Sequence, residues 1–266
     1  SDAAMPFFYQ VGAFAWHSDN KQVFTREDVV CNSSTLPLAP SGARPCNLSD
    51  TVNTIFPTAT SYSDVGSTNV AVFGQATYRF SDFISLTGGL RYTWDDLTYI
   101  HTRAPGVNAT NGAPATGPGI SGSGAGGSIA SGGNGTNTSS GQSSNGNLSG
   151  KAVLQITPSD DVMLYGSYTR GYKGPAFNVF FNHTAPTNAI PIDEETSDAF
   201  EIGAKTQFFD NRVQLNVAGF MVEYDGFQAN NFVLLNGAVV SNLTNAGTVK
   251  SQGFEVDLQA VPVDGL

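Results

Sequence analysis

Period-2 alternation of apolar and polar residues recurs along this chain, and the connections between the alternating runs switch between long and short. In residues 69–80, Val70, Val72, Gly74, Ala76, Tyr78 and Phe80 fall on one face, and Gln75, Thr77 and Arg79 on the other. In residues 83–95, Ile84, Leu86, Gly88, Leu90, Tyr92 and Trp94 alternate with Ser85, Thr87, Arg91, Thr93 and Asp95. Further runs cover 7–16 (aromatic-rich, its alternation blurred), 151–157, 162–171, 199–209, 213–227 and 253–261. This period predicts strands with one apolar and one polar face. Short turns at 81–82, 158–161 and 210–212 join them in pairs, while long polar stretches at 18–68, 103–150, 172–198 and 228–252 separate the pairs.

In an antiparallel sheet this arrangement places every short turn on one edge and every long loop on the other. A transmembrane β-barrel has that asymmetry, with an apolar band toward lipid and a polar lumen. Aromatics beside the turns, Phe80, Phe83, Phe208 and Phe209, suit an interfacial girdle. A soluble β-sandwich also alternates, but its loops have no reason to sort by length. The fold class expected is all-β, an antiparallel transmembrane barrel section of about eight strands. Charged residues make up only 13% of the chain, about half the share of a soluble domain. No apolar run is long enough for a membrane helix. A net charge of −10 argues against nucleic acid, whose phosphates would be repelled.

Two motifs narrow the reading. Tyr165, Ser167, Tyr168, Thr169, Arg170, Gly171, Tyr172, Lys173, Phe177 and Asn178 form one, and Glu201, Gly203, Lys205, Thr206, Asp210 and Arg212 the other. In this order they resemble two motifs of the barrel domain of TonB-dependent outer-membrane receptors. The resemblance implies a bacterial outer-membrane location, contact with outer-membrane lipid, and energised uptake of a scarce small-molecule nutrient such as a ferric siderophore. It also implies coupling to TonB through a plug domain, which is not recognisable in residues 1–266, so the chain is expected to be an internal part of a longer barrel of about 22 strands. Ligand-contact candidates under this resemblance are Arg170, Tyr172, Lys173, Phe177 and Asn178. A barrel-strand motif can equally serve folding or strand pairing.

The remaining features are less specific. Residues 103–150 hold 14 of the 30 glycines and almost nothing apolar, which predicts a flexible Gly/Ser-rich extracellular loop. Cys31 and Cys46 share one polar segment and are candidates for a local disulfide in an oxidising compartment. Residues 122–127 satisfy G-x-G-x-x-G but lack the strand and helix that would aim amides at a pyrophosphate. His17, His101 and His183 are too far apart in sequence for metal-ligand spacing, and no enzyme, metal site or cofactor is expected. Two alternatives remain: a β-rich surface protein that self-associates through edge strands, and a small closed eight-stranded barrel.

Overall fold

The computed structural model describes residues 6–31, 54–115, 120, 137–179, 181, 190–235 and 238–261. These residues contain strands and no helix. In chain order the strands are β1 (Phe7–Glu27), β2 (Val30–Cys31), β3 (Thr54–Ile55), β4 (Pro57–Arg79), β5 (Ile84–Arg103), β6 (Val107–Asn108) and β7 (Asn137–Ser159). They continue with β8 (Val162–Lys173), β9 (Glu195–Phe208), β10 (Val213–Asp225), β11 (Gln228–Leu235), β12 (Ala238–Asn245) and β13 (Val249–Ala260). The main sheet runs β1-β4-β5-β7-β8-β9-β10-β13, with β6 pairing on β4. Every ladder in it is antiparallel.

The register carries the two faces across the sheet. Val72 pairs with Tyr92, which pairs with Leu148. On β8–β13, Gly166, Ile202, Gly219 and Phe254 lie in one row, each opposite the next. Leu90 is 62% exposed, Ile202 71% and Phe254 81%. A continuous apolar face of this extent is unfavourable in water and is what a membrane barrel presents to hydrocarbon, its backbone groups satisfied by the ladders.

The eight alternating runs correspond to the eight strands of the main path, but four of the expected connections are shorter than predicted. β1 extends to Glu27 and pairs with β4 back to Thr58, so residues 18–27 and 58–68 are strand. Likewise, β7 begins at Asn137, so the loop expected over 103–150 ends as strand. Above the membrane both faces meet water or loop, so the alternation disappears while backbone pairing continues. Residues 195–198 open β9, and the stretch after β10 contains the β11–β12 hairpin and the first residues of β13. Among the described residues no ladder joins β1 to β13, so the eight strands do not form the closed barrel kept as an alternative. The Cys31–Cys46 pairing lies outside the described residues.

Small residues in the strands are matched to rings on the neighbouring strand. Gly203 faces Tyr165, Gly12 faces Phe73, Gly141 faces Tyr99 and Gly253 faces Phe220, each pair directly opposite in register. A Cβ at Gly203 would sit 2.6 Å from three atoms of the Tyr165 ring, and one at Gly141 would sit 2.6 Å from Tyr99. The ring covers the bare backbone and supplies the packing that glycine lacks. This is why the Gly-rich part of β7 holds as a strand.

Three of the turns bring strands together directly. In the β9–β10 turn, Phe209, Asp210 and Asn211 have φ of 57°, 55° and 66°. Asp and Asn tolerate this left-handed region well; Phe does not. Phe209 occupies it at the short-turn edge, 77% exposed.

Candidate functional site

At the long-loop edge, the chain folds inward over the polar face. The end of β8 starts this strap. The Tyr172 hydroxyl donates to Asp95 Oδ2 on β5 at 2.8 Å, reaching past β7, and Asn69 Nδ2 of β4 donates to the other Asp95 oxygen at 2.5 Å. Burial, with the Asp95 carboxylate beside it, pushes the Tyr172 phenol well above its ordinary pKa. Two residues on, a Cβ at Gly174 would lie 3.2 Å from the Asp95 carboxylate, so the backbone runs close over that side chain.

The strap returns along residues 190–194, which meet it through the antiparallel bridge Ala176–Ile192. Glu194 accepts from the side-chain amides of Asn145 and, at 3.1 Å, Asn147 on β7. Glu195 accepts from the Gln228 backbone at 2.7 Å and lies 3.7 Å from Lys173 Nζ. The buried Gln228 amide donates to the carbonyls of Gly174 at 2.9 Å and Asp193 at 3.0 Å. Both limbs of the strap are thereby tied to the start of the β11–β12 hairpin.

Farther along, the strap packs by aromatics. Phe177 lies on Tyr99, ring centroids 4.6 Å apart. Phe181 sits with Arg103 4.3 Å from its ring centre and Arg26 4.9 Å away, and joins the buried cluster with Ala59 and Ile120. Arg103 is buried, and burial together with the nearby Arg26 charge lowers its pKa to about 10.

The five sequence candidates separate. Tyr172, Lys173, Phe177 and Asn178 lie on or at the root of the strap. Asn178 accepts from Leu243 N at 3.3 Å and donates to Leu243 O at 3.1 Å, so its side chain pairs with β12 as a strand residue would. Its amide also contacts Asn242. Arg170 faces the other way. In register with Gly150 and Asp198, it shares the face of Leu164 and Gly166 and forms an ion pair with Asp198 at 3.0 Å. The alternation Tyr168-Thr169-Arg170-Gly171 assigns it there; Tyr172, two residues on in the same β8–β9 register, departs from that alternation to reach Asp95.

Sequence reading missed Asp95, Glu194, Gln228 and Phe181 as organising residues. The acidic run 193–195 was visible but carries no signal naming its distant partners. Nothing in sequence pairs Phe181 with two arginines more than 70 residues away. The arrangement is suited to binding: amides, phenols and rings line the polar face. Among the described residues, no group of three His, Cys, Asp or Glu could hold a metal ion.

Known structures share this fold. The chain is similar to the ferric yersiniabactin uptake receptor FyuA from Yersinia pestis, with 16% identity and a TM-score of 0.57, over 96% of this chain and 34% of that one. The siderophore receptor PiuA from Acinetobacter baumannii gives 18% identity and 0.52, over 98% and 34%. The copper transporter OprC gives 12% identity and 0.53, over 79% and 33%. The chain thus spans about one third of the length of these proteins. A model of the TonB dependent receptor-like β-barrel family matches residues 35–261. The chain belongs to this family, whose members are receptors and transporters of the bacterial outer membrane rather than enzymes.

Proposed function

We propose that this chain forms part of the wall and extracellular mouth of a receptor that takes up a scarce nutrient across the outer membrane. The observation that carries the reading is the inward strap. Residues 172–178 and 190–194 cross the polar face just where a ligand would enter, and many hydrogen bonds hold them there. Lys173 is 57% exposed and only loosely paired, so we assign it the direct ligand contact. Tyr172, Phe177 and Asn178 set the strap's shape and border the same opening. Arg170, on the opposite face, is assigned no ligand contact.

A ferric siderophore is the ligand class we favour. Two structurally similar proteins are named for that role, while a third is named for copper. Energy would come from TonB acting on a plug domain. The test uses the full-length receptor carrying this segment, produced in a strain lacking its own siderophore, haem and copper receptors. Accumulation of labelled ferric siderophores, haem and copper is measured with and without TonB. TonB-dependent accumulation of ferric siderophores, reduced by K173A, supports the proposal. Uptake of copper or haem alone overturns the ligand class, and no TonB-dependent uptake of any of them overturns the function.

A further inference from the structure

A second cluster lies on the polar face, directly below the strap, where two register rows meet. Gly12, Phe73, Arg91 and Ser149 form the upper row across β1, β4, β5 and β7. Gln75, Gly89, Lys151 and Thr169 form the lower row across β4, β5, β7 and β8. The upper row lies two strand residues, roughly 7 Å, beneath Asn147, which holds Glu194 of the strap. Arg91 and Lys151 are diagonal neighbours, so their long side chains can converge on one point. Among the described residues neither forms an ion pair. Two carboxylates farther along the polar face are engaged elsewhere, Asp95 by Tyr172 and Asn69, and Glu201 by Tyr165. Two neighbouring cations without an acid, in a chain of net charge −10, repel each other until an anion joins them.

The surroundings are aromatic. Arg91 lies over the Phe14 ring at 5.3 Å, its Nε donating to Thr93 Oγ1 at 3.0 Å. Phe73 covers Gly12 of β1, and Phe14 and Trp16 follow on the same face, 44% and 50% exposed. Gly89 leaves the floor between Gln75 and Lys151 open. A methyl there would meet Gln75 Cβ and Lys151 Cγ at 3.6 Å, an ordinary contact, so packing does not demand glycine. The pocket measures about 320 Å3, with Phe73, Gln75, Arg91, Ser149, Lys151 and Thr169 among its lining residues.

We propose that this pocket is a second ligand subsite, taking a planar aromatic group that bears an anionic oxygen, a carboxylate or a phenolate. It rests on the uptake reading only in routing the ligand through the lumen. Arg91 and Lys151 hold the anionic oxygen through charge-assisted bonds, the guanidinium fork matching a carboxylate. The ring fills the space over Gly89 and stacks against Phe73, while the Ser149 and Thr169 hydroxyls donate to its oxygen substituents. A saturated acid forfeits the stacking, and a neutral chelate forfeits the charge. Two sources carry this chemistry: the phenolate arms of a metal chelate and a free aryl acid.

The test is equilibrium dialysis of the purified full-length receptor, without TonB, against salicylate, a ferric tris-catecholate, cyclohexanecarboxylate and a ferric tris-hydroxamate. The wild type is expected to bind an aromatic anion roughly tenfold tighter than its non-aromatic counterpart. Binding of salicylate assigns the free acid as the source, and binding of the catecholate alone assigns the chelate. R91Q/K151Q weakens that binding roughly tenfold or more, and G89L, which fills the floor, also lowers it. Heat-modifiable migration on gels checks that each variant is folded; the comparison of ligands on wild type stands without them. Because TonB is absent, a failure of uptake in cells leaves this result standing. Equal binding of aromatic and non-aromatic ligands, or binding of none, overturns the proposal. So does unchanged affinity in folded R91Q/K151Q; lowered thermal stability in that variant would then give the two cations to a carboxylate of a plug domain.

Discussion

Replacing Gly203 by alanine tests the ring-over-glycine packing that holds adjacent strands. The added Cβ would sit 2.6 Å from Cε1, Cζ and Oη of Tyr165. The obstacle is the middle and end of a ring whose hydroxyl is fixed, donating to Glu201 at 2.5 Å. To admit the methyl, the ring must tilt away. Overpacking costs about 1–3 kcal/mol, and loss of a hydrogen bond to a charged group costs about 1.5–3 kcal/mol. Alanine recovers about 0.5–1 kcal/mol of backbone entropy. G203A should therefore destabilise by about 2–5 kcal/mol. Gly88 is the control, since a Cβ there meets nothing within 4 Å; G88A should be neutral or stabilising by about 0.5 kcal/mol. The assay is equilibrium guanidinium unfolding of the full-length receptor refolded into phospholipid vesicles. In a Y165A background the G203A cost should fall below about 1 kcal/mol. Equal effects of G203A and G88A, or no relief from Y165A, would refute the packing argument.

Other perturbations report on the strap. Y172F removes the bond to Asp95, a local loss of about 1.5–3 kcal/mol read as faster hydrogen exchange at residues 172–178. Because the folded phenol titrates above its unfolded value of about 10, the bond contributes fully below that pH and is lost as pH rises through the folded value. Wild type and Y172F should therefore differ equally at pH 6 and pH 9. N178A leaves Leu243 N and O without their side-chain partner, so exchange in β12 should rise by roughly tenfold, matching about 1–2 kcal/mol, with β5 and β7 unchanged. F181A removes the ring between Arg26 and Arg103 and should cost about 3 kcal/mol or more, seen as protease cleavage between residues 174 and 194 while the main sheet stays intact.

How far the sequence could be read follows from where the solvent changes. Within the hydrocarbon band, each strand must turn alternate residues to lipid, and runs such as 84–94 or 254–260 show that pattern plainly. Above the band both faces meet water or loop, so residues 18–27 and 58–68 are strand without alternation. Asn137–Gly150 escaped because glycine and serine are poor strand formers alone; the rings of Tyr99 and Tyr92 that cover Gly141 and Gly146 come from β5, a partner fixed only by register. The β11–β12 hairpin did leave a signal. Asn236-Gly237 stands between Phe232–Leu235 and Ala238–Val240, a pattern favouring a tight hairpin. The candidate site was legible as a motif but not as a geometry. Tyr168–Lys173 reads as one stretch, yet it sends Arg170 outward and Tyr172 over the polar face to Asp95.

The face bearing Phe254, Val256 and Leu258 meets hydrocarbon, while Glu255 and Asp257 face the lumen. The most direct measurement is a single-cysteine bimane scan of residues 254–258 in the full-length receptor, with Cys31 and Cys46 replaced by serine, in vesicles containing brominated acyl chains. Strong quenching at 254, 256 and 258 and little at 255 and 257 is the predicted result. Uniform quenching, or quenching strongest at 255 and 257, would contradict it.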